Sequence, residues 1–205
     1  MSFWNDRYAG EEFLFGREPA IFLTEQAHRF KAGERALAVA DGEGRNGVFL
    51  AGLGLKVHAV DASEVALRKS ERLAAEAGVA IELEHADLGA WTWPEAAYDH
   101  VVAIFIQFAD RELRARLFDG MKRAVRPGGL VVLQGYRPEQ VELGTGGPPE
   151  KSFMYTRPML LDAFQDFEIL HLREHDSVLS EGPGHSGLSA LIDLVARRKA
   201  PDPER

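Results

Sequence analysis

The chain has 205 residues, 45% of them hydrophobic and 27% charged, which is enough for one domain of ordinary size and too short for two. With 32 acidic and 24 basic side chains its formal net charge is -8, which disfavours a nucleic-acid partner. Cysteine is absent, which excludes disulfides and thiol nucleophiles, and no apolar run approaches the roughly 18 residues of a membrane span. We therefore expect a cytoplasmic protein without a membrane partner.

Beyond the first 30 residues, apolar segments alternate with helical patterns, which is typical of βα units around a parallel sheet. Strands are predicted at residues 36–40, 56–60, 80–85, 100–106 and 130–135. Helices are predicted at residues 45–52, 63–77, 110–125 and 157–164. A long loop dense in turn-forming residues is predicted at 136–151.

The last part of the chain has a different pattern. Two strands, at 167–173 and 188–196, have no helical pattern between them. Parallel neighbours need a crossover connection, so these two strands are predicted to form an antiparallel hairpin at the sheet edge. Residues 200–205 are expected to fray.

A glycine motif, Gly42-x-Gly44-x-x-Gly47, follows the first predicted strand. Glycine at such a turn lets a ligand approach the backbone closely. The second predicted strand leads into Asp61, about 20 residues further on, where a carboxylate can accept both hydroxyls of a ribose. This order of strand, loop, helix and acid indicates a ligand that contains a nucleoside.

Three kinds of protein fit this motif. An NAD(P)-binding oxidoreductase is one, but a dinucleotide normally requires a second βαβ half, and the residues after Gly135 lack that pattern. The sequence therefore favours a ligand with a single adenosine, bound either by an enzyme or by a non-catalytic nucleoside-binding module.

Several segments resemble the class I S-adenosylmethionine-dependent methyltransferases: GEGRN at 42–46, AVDAS at 59–63, HADL at 85–88 and VRPGGLVVLQG at 125–135. Others resemble the tellurite-resistance and thiopurine methyltransferase-like branch: FWNDRYAGEEFLFGREPAIFL at 3–23, GTGGPP at 144–149 and EGPGHSG at 181–187. The resemblance implies a doubly wound α/β fold with a Rossmann-like, seven-stranded, mostly parallel sheet of order 3-2-1-4-5-7-6, strand 7 antiparallel. It implies a single methyltransferase domain at 1–199, with a lid at 1–30.

The same resemblance implies methyl transfer from S-adenosylmethionine, by in-line displacement, to a small soft acceptor carrying sulfur, selenium or tellurium. No metal is expected. The implied cofactor-binding residues are Asp41, Gly42, Glu43, Gly44, Arg45, Asn46, Asp61, Ala62, Asp87, Leu88, Ile104, Tyr8 and Arg7. The predicted acceptor pocket consists of Phe105, Gln107, Phe108 and Phe15, although these aromatic residues could equally be core packing.

His185 is the candidate catalytic residue. It lies in a glycine-rich loop between the last two strands, and histidine changes protonation near neutral pH. The alternative is a solvent-facing side chain.

The glycine loop departs from the family pattern at its start. Most class I members have an acid and a glycine at the positions of Ala38 and Ala40. Asp41 is a candidate replacement for the acid, with solvent exposure as the alternative. Gly47 is predicted to be a helix-packing position.

Overall fold

The computed structural model describes residues 3–200, so the predicted frayed tail lies, apart from Ala200, outside the described residues. Within them, seven strands form one sheet in the order β3-β2-β1-β4-β5-β7-β6. Neighbours among β1 to β5 are parallel, whereas β7 is antiparallel to β5 and to β6. The predicted sheet order and the hairpin are confirmed. The strands are β1 Arg35–Val39, β2 Lys56–Asp61, β3 Ile81–His85, β4 Tyr98–Ile104, β5 Val125–Tyr136, β6 Phe167–Ser180 and β7 Ser186–Arg198.

Helices cover both faces of the sheet. They are α1 Phe3–Arg7, α2 Ile21–Glu25, α3 Arg45–Gly52, α4 Glu64–Ala77, α5 Arg111–Ala124, α6 Gln140–Leu143 and α7 Arg157–Ala163, with 3₁₀ turns at Ala27–Arg29 and Lys151–Phe153. On β1, Leu37 belongs to the core on one face and Ala38 to the core on the other. This double burial explains why the central strands lack polar alternation.

Capping residues set where the helices begin and end. The side chains of Ser63 and Asp110 accept hydrogen bonds from backbone N–H groups at the starts of α4 and α5. Gly78, in the left-handed conformation, follows the last residue of α4. Because Ser63 comes two residues after Asp61, α4 begins directly beside the carboxyl end of β2.

Several segments differ from the sequence prediction. The strand predicted at 130–135 begins at Val125, and the one predicted at 100–106 spans Tyr98–Ile104. The last two strands were predicted at 167–173 and 188–196, but β6 continues to Ser180 and β7 begins at Ser186. The second half of β6 lies at the sheet edge and is largely exposed. Its residues are mostly polar, so they lack the apolar pattern that predicts a buried strand. The predicted loop at 136–151 contains the short helix α6. In the described part of the chain, no helix has the length and apolarity needed to cross a membrane.

Candidate functional site

A cavity of about 390 Å³ lies at the carboxyl ends of β1, β2 and β4. The structure brings most of the sequence-predicted site residues together there, from six separate parts of the chain. Those that line it are Tyr8, Phe15, Asp41, Gly42, Glu43, Arg45, Asn46, Asp61, Ala62, Asp87, Leu88, Ile104, Phe105, Phe108 and His185. Arg7, Gly44 and Gln107 do not line it, and their positions are described below.

The loop from β1 to α3 turns through three left-handed residues beside the cavity, of which Gly42 has φ 59°. Ala40 has φ 48°, a conformation that glycine adopts more readily than alanine. Gly44 has φ 91° and precedes α3. A Cβ added at Gly44 would lie 2.2 Å from Ser70 Oγ. Gly44 therefore lets the start of α3 pack against α4.

Asp61 is fixed at the cavity edge by two backbone donors. Its Oδ2 accepts from Gly42 N and its Oδ1 from Ser63 N, both at 2.8 Å. Burial raises the pKa of this carboxyl group, while these hydrogen bonds oppose the rise. Each carboxylate oxygen has two lone pairs. Both oxygens of Asp61 therefore keep capacity to accept a hydroxyl group from a ligand.

Asp41 also faces the cavity, whereas Ala38 is buried in the core between the sheet and α3. Asp41 Oδ2 accepts from Gly47 N at 3.1 Å, and a Cβ at Gly47 would lie 2.4 Å from that oxygen. Gly47 thus makes room for the Asp41 carboxyl group, and it also faces β2, where a Cβ would lie 3.6 Å from Val57 Cγ1. Burial raises the pKa of Asp41 to about 7, opposed by the Gly47 hydrogen bond and the charge of Arg45 and reinforced by that of Asp61.

Glu43 ties the N-terminal segment to α4. Lys69 Nζ donates to Glu43 Oε1 and to the carbonyl oxygen of Glu12, each at 2.7 Å. Phe15 N donates to the other oxygen of Glu43 at 3.4 Å. Glu43 and Lys69 are both buried, so this ion pair is shielded from solvent screening.

Aromatic side chains of the N-terminal segment cover the cavity. Trp4 and Tyr8 stack with their ring centroids 5.7 Å apart, and Trp4 meets Phe108 edge to face at 6.5 Å. The Arg7 guanidinium lies over the rings of Trp4, at 5.2 Å, and Phe15, at 5.8 Å. Arg7 therefore packs on the aromatic cover and is not part of the cavity wall. A Cβ at Gly42 would lie 2.8 Å from the Tyr8 hydroxyl, so Tyr8 closes directly over the loop.

His185 forms the far wall of the cavity. Its ring centroid lies 4.4 Å from those of Phe15 and Phe105, and its Nδ1 is 3.6 Å from Glu181 Oε2. The same carboxylate oxygen accepts from Arg45 Nη1 at 2.8 Å. Burial lowers the pKa of His185, and Glu181 opposes this change. Burial also opposes ionisation of Glu181, but His185 and Arg45 outweigh it and lower the pKa of that carboxyl group.

The hairpin loop at 181–185 contacts the N-terminal segment through its backbone. Gly184 N donates to the Leu14 carbonyl oxygen at 2.9 Å. A Cβ at Gly182 would lie 2.3 Å from Gly16 N, and a Cβ at Gly184 would lie 2.4 Å from the Phe15 ring. Glycine is required at both positions for this close contact. The contact places His185 beside Phe15.

Comparison with known proteins identifies the type of fold. Residues 36–129 match a family model described as a methyltransferase domain. This chain has the methyltransferase fold. The matched region begins in β1 and ends in β5, so it includes the glycine loop and Asp61. The comparison with curated proteins found no match.

Solved structures with this fold cover nearly the whole chain. One, from work on the conversion of a disulfide bond into a thioacetal group during echinomycin biosynthesis, is 19% identical with a TM-score of 0.78, covering 98% of this chain and 92% of its own. TehB from Haemophilus influenzae is 19% identical with a TM-score of 0.73, covering 96% and 66%. A SAM-dependent methyltransferase from Methanosarcina mazei is 16% identical with a TM-score of 0.71, covering 90% and 100%. At these identities the similarity concerns the fold.

Gln107 has a structural role instead of the predicted place in the pocket. Its Nε2 donates to the Tyr136 carbonyl oxygen at 2.9 Å, and its Oε1 accepts from Tyr136 N. The side chain is buried and fastens the loop after β4 to β5. Phe105, two residues earlier, does line the cavity and has φ 57°, which is strained for a bulky side chain.

Sequence reasoning missed residues that complete the site. Phe3 and Trp4 line the cavity, while Lys69 and Glu181 hold its ionised groups in place. Lys69 lies on an amphipathic helix, where its sequence context indicates solvent exposure. Glu181 carried one signal: its position four residues before His185 within the glycine-rich segment.

Proposed function

We propose that the protein is an S-adenosylmethionine-dependent methyltransferase that methylates a small, soft acceptor carrying sulfur, selenium or tellurium. One observation carries the proposal: within a methyltransferase fold, a cavity at the strand ends presents the Asp61 carboxylate, held by the backbone of the glycine loop. The match of residues 36–129 to a methyltransferase domain supports the same activity.

The residues at this cavity fit S-adenosylmethionine. Asp61 offers two carboxylate oxygens for the ribose hydroxyls. Leu88 and Ile104 supply apolar wall for the adenine, beside the Asp87 carboxylate. The Asp41 carboxyl group faces the cavity where most class I members have an acid three residues earlier in the chain, so it is the group we assign to the ammonium of the methionine portion.

S-adenosylmethionine supplies a methyl group on a positively charged sulfur, which is already a good leaving group. The protein therefore has to align the acceptor and exclude water, and alignment alone contributes several kcal/mol, up to about 7–11. Trp4, Tyr8 and Phe15 cover the cavity and exclude water from it. Their rings also favour a cationic ligand through cation–π attraction.

The acceptor end of the cavity is formed by Phe15, Phe105 and His185. These rings offer polarisable surface with one titratable group, which suits a sulfur, selenium or tellurium atom better than a highly hydrated oxygen acceptor. TehB and the protein from the disulfide-to-thioacetal work share the fold, and this similarity is a reason to begin acceptor tests with thiols and with tellurite-derived compounds. His185 is the group we assign to proton removal from the acceptor.

Thermal unfolding with S-adenosylmethionine, S-adenosylhomocysteine and NAD tests the proposal. A ligand that binds only the native state stabilises it, by roughly 2.7 kcal/mol at 100 times its Kd. We expect both sulfur ligands to raise the Tm and NAD to leave it unchanged. Asp61→Ala should abolish the shift, whereas Asp162→Ala, at an exposed position on α7, should preserve it. No shift with either sulfur ligand would refute the proposal, and a shift with NAD alone would favour an oxidoreductase.

A non-catalytic nucleoside-binding module is the second candidate. Alanine at position 38 favours it, since the usual acid is absent there. This candidate predicts tight binding of both sulfur ligands with no methyl transfer to any thiol, selenol or tellurium compound. A single labelled methyl group transferred from the bound cofactor to an acceptor would exclude it.

A further inference from the structure

Glu181 lies between a residue of the cofactor helix and the candidate catalytic histidine. One of its oxygens is 2.8 Å from Arg45 Nη1 and 3.6 Å from His185 Nδ1. All three residues are buried: Glu181 is 8% exposed, Arg45 6% and His185 5%. A carboxylate held this deep, between a permanent cation and an imidazole, affects the imidazole with little screening by water.

Three buried polar atoms cluster at this end of the cavity. Glu181 Oε1, His185 Nδ1 and the Tyr136 hydroxyl form no hydrogen bond with the described residues. The Tyr136 and His185 rings meet at 5.7 Å. Buried polar atoms normally find partners, and leaving one unpaired costs roughly 1–3 kcal/mol. The imidazole is one short movement from a hydrogen bond to Glu181, and such bonds often tighten only when substrate is bound.

The cavity disfavours an acceptor that arrives as an anion. The Phe15 and Phe105 rings surround its acceptor end, where an anion would lose its hydration shell without compensation. An acceptor therefore enters more readily as the neutral X–H form, in which X is the sulfur of a thiol. The proton then has to leave as the new bond forms, which requires a base at the acceptor end.

We propose that Glu181 is a positioning residue that holds His185 with Nδ1 toward its carboxylate and Nε2 toward the acceptor, and that Arg45 anchors Glu181 for this task. The acceptor class is a neutral thiol. The proposal rests on the proposed function, because it concerns the proton that methyl transfer releases.

The step balances with no further reactant. The X–H bond breaks and its proton passes to His185 Nε2, giving an imidazolium that the Glu181 carboxylate stabilises. The acceptor's electron pair forms the bond to the methyl carbon, and the electrons of the broken carbon–sulfur bond stay on the sulfur. His185 later releases its proton to water.

The charged and titratable groups around His185 set the direction of the test. Glu181 favours the imidazolium, while Arg45 and Arg7 disfavour it. The Tyr136 phenol, from β5, is neutral near pH 7 because burial raises its pKa further. Removing the charge of Glu181 should therefore lower the pKa of His185, and removing that of Arg45 should raise it.

NMR titration of the histidine rings in the whole protein measures this directly and needs no substrate. His185→Gln assigns the His185 signal. We expect Glu181→Gln to lower the pKa of His185 by about one unit or more and Arg45→Gln to raise it. The matched control is Glu174→Gln on β6, whose parent side chain pairs with Arg157 of α7, and it should leave the pKa of His185 unchanged. An unchanged His185 pKa in Glu181→Gln would overturn the proposal, and Arg45→Gln gives the opposite-signed test should Glu181→Gln not fold.

Kinetics with phenylmethanethiol, a neutral thiol near pH 7, provides the second readout. Glu181→Gln should lower kcat by about 10- to 100-fold, move the acidic limb of the pH profile to lower pH and leave the KM for S-adenosylmethionine unchanged. Glu181→Asp should recover part of kcat because it restores the charge. An unchanged kcat, or a loss that Glu181→Asp does not relieve at any pH, would refute the positioning role. Failure of the proposed function would appear separately, as no thermal shift with either sulfur ligand.

Discussion

Replacing Asp41 with asparagine should stabilise the free protein, and by more as the pH rises. Burial moves the pKa of Asp41 from its ordinary value of 3.8 to about 7. Below pH 3.8 the group is protonated in both the folded and the unfolded chain, so it does not affect stability. As the pH rises through 3.8 the unfolded chain ionises first, and stability is lost until the folded carboxyl group also ionises near pH 7.

The size of the effect follows from the difference in pKa. About three units at 1.36 kcal/mol each give a loss of about 4 kcal/mol near pH 8 and about 2 kcal/mol near pH 5. Asparagine cannot ionise, yet its side-chain oxygen can still accept the hydrogen bond from Gly47 N. Asp41→Asn should therefore exceed the parent protein in free energy of unfolding by these amounts.

Urea denaturation of both proteins at pH 5 and pH 8 measures the two differences. An advantage of Asp41→Asn that is equal at the two pH values would refute the reasoning, since a group that does not titrate contributes no pH dependence. The same substitution should weaken binding of S-adenosylmethionine, whose ammonium would lose its ionised partner. In the parent protein that affinity should rise between pH 6 and pH 8, and in Asp41→Asn this rise should disappear.

Three further substitutions test the surroundings of the cavity. Ala40→Gly should raise the free energy of unfolding by about 0.5–1 kcal/mol in urea denaturation, because glycine adopts the positive φ without strain. A lower free energy of unfolding would mean that the packing of the alanine methyl group outweighs the strain. Gly184→Ala should weaken S-adenosylmethionine binding in calorimetry, because the added methyl meets the Phe15 ring, and unchanged affinity would separate that contact from the site. Lys69→Met should cost about 3–5 kcal/mol of stability by leaving Glu43 buried without its cation. The double variant with Glu43→Gln should recover most of it, and no recovery would contradict the ion-pair argument.

Local signals explain why much of the fold could be predicted. The helix predicted at 45–52 has those bounds in the structure, because the glycine before it and the apolar face within it are both encoded nearby. Ser63 and Asp110 cap their helices as their side chains predict. The edge strand β6 was predicted seven residues too short. Its exposed second half lacks the apolar residues by which a strand is recognised in a sequence.

A site residue could be predicted where its place in the chain alone determines its position in the fold. Asp61 lies at the cavity because the end of a parallel strand places it there. Gln107 lies three residues after the end of β4, and its amide binds the backbone of Tyr136. One sequence does not show which way a loop side chain turns. Glu181 and Arg45 are 136 positions apart in the chain, so their contact could not be predicted from local sequence patterns.

The contact between the N-terminal segment and the loop at 181–185 has a consequence for the order of events during synthesis. Phe15 and His185, whose rings are in contact at the cavity wall, belong to opposite ends of the chain. During synthesis β1 to β5 emerge before this wall of the cavity exists, because the final hairpin supplies it. Ligand affinity should therefore appear late, once β7 has paired with β5, so that a nascent chain cannot trap its ligand before folding is complete.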